Sequence, residues 1–221
     1  MTKLALLFAA AITIVCAPAW AGFVAITTPT PAYTGGTSLL PFTAPDHTDI
    51  TSVTDGTQVL SYDTMLEVLT VPATWTFWNL PPLVESSTPR VAATPLGGPF
   101  SLTITLGVPS FTFGFELEPD NFGAEELVAQ FFDGGGLAGA IDLTLSGLGD
   151  ARLFAATTDV SPFTHVTITN SVQDDFAIAQ QRYGPAVSTV PEPSYTLPVS
   201  FMAAALAGTL LRAARAMNSG R

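Results

Sequence analysis

Residues 101–117 read SLTITLGVPSFTFGFEL, and their spacing decides the fold. Leu102, Ile104 and Leu106 recur at every second position, with Ser101, Thr103 and Thr105 between them. Phe111, Phe113, Phe115 and Leu117 repeat the alternation after a break at Gly107 and Pro109. A period of two places successive side chains on opposite faces of an extended chain, so each stretch reads as a half-buried antiparallel strand. The same period runs outward in both directions. AIDLTL carries Ile141, Leu143 and Leu145; THVTIT carries Val166 and Ile168; DFAIAQQ carries Phe176 and Ile178. TQVLSY, LEVLTV, ATWTFWN, LVAQFF and ARLFAAT are further strand candidates, separated by Gly, Pro, Asn and Asp. No long helical period interrupts them. About ten strands at this spacing predict an all-β fold, an antiparallel two-sheet β-sandwich of jelly-roll type.

The two ends read differently from the body. The chain opens MTKLALLFAAAITIVCAPAWAGF. Lys3 begins it, Leu4 to Val15 form an apolar stretch, and Ala19-Trp20-Ala21 has the small-x-small pattern cut before Gly22. Residues 1–21 are therefore predicted to be a secretory signal helix, removed by signal peptidase. The single cysteine, Cys16, would leave with it, so the mature chain is expected to hold no disulfide.

The chain closes VPEPSYTLPVSFMAAALAGTLLRAARAMNSGR. Residues 195–211 carry no charge and as a helix would span about 26 Å, close to a hydrocarbon core of roughly 30 Å. Arg212, Arg215 and Arg221 follow, and the positive-inside rule assigns them to the cytoplasm. The expected organisation is a signal over 1–21, an irregular lead-in over 22–48, a sandwich over 49–184, a Pro-rich linker over 185–194, and a transmembrane helix with basic tail over 195–221.

Val190-Pro191-Glu192-Pro193-Ser194, an apolar helix and terminal arginines, in that order, resemble the PEP-CTERM sorting signal of Gram-negative bacteria. The resemblance implies that Pro191, Glu192 and Pro193 are a recognition triplet for exosortase, a membrane-embedded protease. It further implies transient anchoring in the inner membrane, then passage to the cell surface or exopolysaccharide (biofilm) matrix. The body is also similar to a β-sandwich of many secreted bacterial proteins bearing this tail, through its GFE strand, DGG turn and DFAIA strand. That similarity implies a fold and no activity.

Charge excludes some functions. Residues 22–189 hold three basic side chains (Arg90, Arg152 and Arg182) against seventeen acidic ones, a net of −14. Such a body repels nucleic acid and anionic lipid. The glycines of DGGGLAG match G-x-G-x-x-G at Gly134, Gly136 and Gly139, but an alternating strand follows where a nucleotide site needs a helix, so they read as a hairpin turn.

Three clusters remain. Glu116, Glu118, Asp120 and Asn121 gather oxygen ligands of the kind calcium needs, with Glu125 and Glu126 beyond, but without EF-hand spacing. Strand alternation puts Glu116 and Glu118 on one face, in water, and a solvated acidic loop is the plainer expectation. Asp46, His47 and Asp49 contain one histidine without a second nearby, and His165 sits opposite Val166 and Ile168, so both read as surface residues. Trp75 and Trp78 of TWTFWN fall on opposite faces of a strand, making Trp78 a candidate aromatic platform for sugars; the competing expectation packs both indoles. No H-E-x-x-H and no G-x-S-x-G occurs, and no enzyme and no cofactor is predicted. The leading expectation is an exported structural or interaction protein of the extracellular matrix. A carbohydrate-binding module is the alternative, and a polysaccharide hydrolase the third.

Overall fold

A computed structural model describes residues 22–97, 101–172 and 174–185. The signal segment with Ala19 and Ala21, the Pro191-Glu192-Pro193 triplet, the apolar run and Arg212, Arg215 and Arg221 lie outside the described residues. In chain order the elements are β1 (Val24–Ile26), α1 (Pro31–Gly36), β2 (Ser38–Leu40), β3 (Thr48–Thr54), β4 (Val59–Thr70), β5 (Arg90–Ala93), β6 (Ser101–Ser110), β7 (Thr112–Pro119), β8 (Glu125–Asp133), β9 (Gly136–Leu145), β10 (Arg152–Thr157), β11 (Phe163–Asn170) and β12 (Phe176–Gly184).

Every pairing is antiparallel. The ladder runs β1-β10-β7-β12-β5-β4-β6-β11-β8-β9, with β2 added on β12 and β3 on β4. The expected two sheets are therefore one continuous sheet that doubles over. Its crease is β4, where two sequence candidates, TQVLSY and LEVLTV, merge into one twelve-residue strand. Leu60–Tyr62 pair with β6, whereas Glu67–Thr70 pair with β5.

Between the two halves lies one core. Leu102, Ile104 and Leu106 of β6, Val166 and Ile168 of β11, and Leu127, Ala129 and Phe131 of β8 face Phe113, Phe115 and Leu117 of β7, Phe154 of β10, and Phe176 and Ile178 of β12. Phe115 stacks on Phe154 with ring centroids 6.1 Å apart. The inner faces predicted for β6, β7, β11 and β12 are the observed ones, except at Phe111, which lies in the turn before β7 and is exposed.

The β7 half of the sheet is also covered on its outer face. Segment 71–89, between β4 and β5, leaves the sheet and folds back over it. Its Trp75, Trp78 and Val84 pack on Val91 and Ala93 of β5 and Ala177 and Ala179 of β12. Tyr33 of α1 packs beside it on Leu153 and Ala155 of β10. The predicted strand ATWTFWN is thus part of an irregular cover. Small residues on the sheet's outer face make room for it: a Cβ on Gly114 would collide with the Ala155 Cβ and the Tyr33 hydroxyl.

The lead-in over 22–48 carries β1, α1 and β2, and Tyr33, Leu40 and Phe42 are buried. Thr30 caps α1 by accepting from the Tyr33 N–H at 3.3 Å, with Pro31 in the first turn. The G-x-G-x-x-G glycines lie in and beside the β8–β9 hairpin turn, with Gly136 at φ +131°. Gly139 lets the Phe23 ring lie flush on the strand, where any Cβ would overlap it.

Candidate functional site

At the end of the covered half-sheet the cover, β4, β5 and the strand ends of β7 and β12 enclose a cleft of about 240 Å3. His47, Glu67, Thr74, Trp75, Thr94, Asp120 and Asp175 line it, with Leu96 exposed at its lip. The site is built from backbone pairings upward. Antiparallel register brings Phe176 opposite Pro119, and the Asp120 N–H donates to the Asp175 carbonyl at 2.9 Å, which sets the two aspartates side by side. The Phe176 N–H donates to Thr94 Oγ1 at 3.0 Å, closing β5 onto the same point.

On the opposite wall Thr74 is pinned by its neighbours. Its Oγ1 accepts from the Thr70 N–H at 2.8 Å and donates to Asp46 Oδ2 at 3.2 Å. Asp46 also accepts from Thr70 Oγ1 at 2.7 Å and from Arg90 at 2.8 Å. These contacts, the Thr70 hydroxyl first, hold its carboxyl below the usual aspartate range. His47 Nδ1 lies 2.7 Å from Glu67 Oε1 at the rim. Burial pushes Asp175 up to about 7, helped by Asp174 and Asp120; burial and Asp174 raise Asp120 as well. The cleft thus presents two neighbouring carboxyls, both raised by burial, beside an indole wall, a set suited to hydroxyl-bearing ligands.

Of the predicted site residues, His47, Trp75 and Asp120 come together at the cleft, and the others are dispersed. Glu116 and Glu118 share one face as expected, but both are fully buried, Glu116 against segment 71–89 and Glu118 against the β9–β10 connection. Glu116 Oε2 accepts from Trp78 Nε1 at 3.1 Å, and its Oε1 accepts from the Glu85 N–H. Glu118 Oε1 accepts from the Gly149 N–H at 2.8 Å. Burial pushes both carboxyls up to about 7. Asn121 turns away to cap the Gly123 N–H, while Asp120 faces the cleft. Among the described residues no three carboxylates or histidines are placed to hold a metal ion, so the candidate calcium set does not converge.

Trp78 is no exposed platform: it and Trp75 are each 7% exposed. Trp75 lines the cleft from a packed position. The exposed rings are others. Phe77 and Phe122 meet edge to face, centroids 5.9 Å apart, where the cover touches the β7–β8 loop. His165 stacks on Phe132 at 4.5 Å, away from the cleft residues in the sheet order. Asp175 and Thr94 escaped the sequence reading because only the β5–β12–β7 pairing makes them neighbours of Asp120.

No family model and no curated protein matches this chain. Solved structures similar to it include the enzymatically active domain of bacteriophage CBA120 tailspike protein 4, with 20% identity over 58% of this chain and a TM-score of 0.31. This chain spans 19% of that one. A family 29 carbohydrate-binding module matches with 12% identity, 48% of this chain, 76% of that chain and a TM-score of 0.30. The family 11 carbohydrate-binding module from Clostridium thermocellum, in complex with a β-1,3-1,4-mixed-linked tetrasaccharide, matches with 8% identity, 69% and 97% coverage and a TM-score of 0.33. At these TM-scores the likenesses assign neither a family nor a ligand to the chain.

Proposed function

We propose that the sandwich is a non-catalytic carbohydrate-binding module that takes a neutral sugar unit in the Trp75 cleft. The carrying observation is the composition of that cleft. One indole wall offers a surface to C–H groups, while the Asp120 and Asp175 carboxyls offer acceptors and donors to a ring of hydroxyls. The net charge of −14 over residues 22–189 selects against uronic-acid and sulfated polymers. Delivery belongs to the two ends. The signal segment leads the chain out through the inner membrane, and the Pro191-Glu192-Pro193 tail hands it to exosortase for the cell surface or matrix.

Affinity electrophoresis through gels holding neutral and acidic polysaccharides tests the binding. The protein is expected to be slowed by at least one neutral glycan and by no acidic one. Asp120→Ala is expected to weaken that retention about tenfold, the worth of one charge-assisted hydrogen bond. Unaltered mobility in every gel sinks the reading. Fractionation tests delivery: full-length protein is expected at the envelope, and a chain stopped at Thr189 in the soluble exported fraction. Equal recovery of both from the cytosol would sink it.

A further inference from the structure

Two segments supply the aromatic and acidic walls of the cleft, Trp75 from the cover and Asp120 from the β7–β8 connection. Two residues further along each, the same segments meet again at the Phe77–Phe122 ring contact. Phe77 is 39% and Phe122 63% exposed, although both are large and apolar. The contact is braced from behind. The Gly147 N–H donates to the Asn121 carbonyl at 2.7 Å, and Asn79 Nδ2 donates to the Ala151 carbonyl at 3.1 Å. These bonds fix the three loops whose tips carry Phe77, Leu80, Phe122 and Leu148. An exposed aromatic pair on braced loops, each ring two residues along the chain from a cleft-lining residue, together with the cleft's carboxyls has the two-sided chemistry of a pyranose chain. Its C–H faces pack on rings, and its hydroxyl edges pair with polar groups.

We infer that the Phe77–Phe122 pair is a second sugar subsite, so that the protein binds the interior of a neutral polysaccharide chain across the pair and the cleft. The inference rests on the cleft reading and adds to it a dependence on chain length. A single sugar fills the cleft alone, whereas a longer oligomer also covers the rings.

Calorimetric titration of the full-length protein with neutral gluco- and manno-oligosaccharides of one to six units tests this. Affinity is expected to rise about tenfold or more between the single sugar and the longest oligomer. Phe122→Ser is expected to abolish that rise while leaving single-sugar affinity and melting temperature unchanged. Phe122→Tyr, which keeps a ring, is expected to retain it. An affinity independent of length, or a rise untouched by Phe122→Ser, overturns the second subsite and leaves the cleft standing. Absence of binding to every oligomer overturns both.

Discussion

The residue that says most about this protein is Glu116. Its neighbours Phe115 and Leu117 enter the core as alternation requires, so Glu116 had to face the other way. That direction is water only when nothing covers the sheet. Here Trp78 and the Glu85 backbone donate to both carboxylate oxygens, yet burial still lifts the group to about 7. The folded state therefore binds its proton more tightly than the unfolded chain does. A raised carboxyl stabilises the fold fully below the unfolded value near 4.5, and that contribution is lost as pH rises through about 7. Glu118 and Asp175 act with the same sign. Asp46 and Asp55 are lowered and oppose it only toward stronger acid. The melting temperature is expected to be higher at pH 5 than at pH 8, with Glu116 alone contributing on the order of 3 kcal/mol. Thermal melts across that range check it, and Glu116→Gln is expected to make the profile shallower, leaving the share of Glu118 and Asp175. A wild-type profile that climbs toward pH 8 contradicts the assignment.

At the scale of elements, the 71–89 cover separates this fold from a bare sandwich. Two devices fasten it. Trp78 fills the hollow over the alanines of β5 and β12, and truncation to Ala is expected to cost about 3–5 kcal/mol in urea unfolding. Arg182 of β12 is the other clasp. Its Nε donates to Glu85 Oε1 at 2.7 Å, and its Nη1 donates to the Thr34 and Thr37 carbonyls, both at 3.1 Å. The pair is about 12% and 11% exposed, so removing one partner strands the other charge out of water. Arg182→Ala is expected to destabilise by about 3 kcal/mol and to expose 71–89 to limited proteolysis before the strands. Gly114→Ala tests the sheet face beneath. Its Cβ would meet Ala155 and Tyr33, and a loss of about 1–3 kcal/mol is expected.

For the whole molecule, charge sets the expectations. With seventeen acids against three bases over residues 22–189, self-repulsion opposes compaction. Moderate salt is expected to raise the melting temperature by screening, while a neutral glycan's affinity is expected to change little with ionic strength. Calcium beyond that screening is expected to add nothing, because the acidic side chains of the 116–126 stretch spread between cover, loop and cleft. Melts in calcium and magnesium at matched ionic strength check it.

Local sequence determined the strands and their inner faces. A period of two is a property of each strand alone, so Leu102, Phe113, Val166 and Ile178 could be assigned to the core without knowing their partners. The β8–β9 hairpin was legible for the same reason, since its glycines sit between two alternating runs. The merging of two candidates into β4, the cover over β7, the burial of Glu116, Glu118 and Trp78, and the meeting of Trp75, Thr94, Asp120 and Asp175 were decided by tertiary structure. A strand's second face has no periodic mark that tells solvent from a covering loop. Residues 19 to 100 positions apart become neighbours only when the sheet folds over at β4 and β12 pairs between β5 and β7.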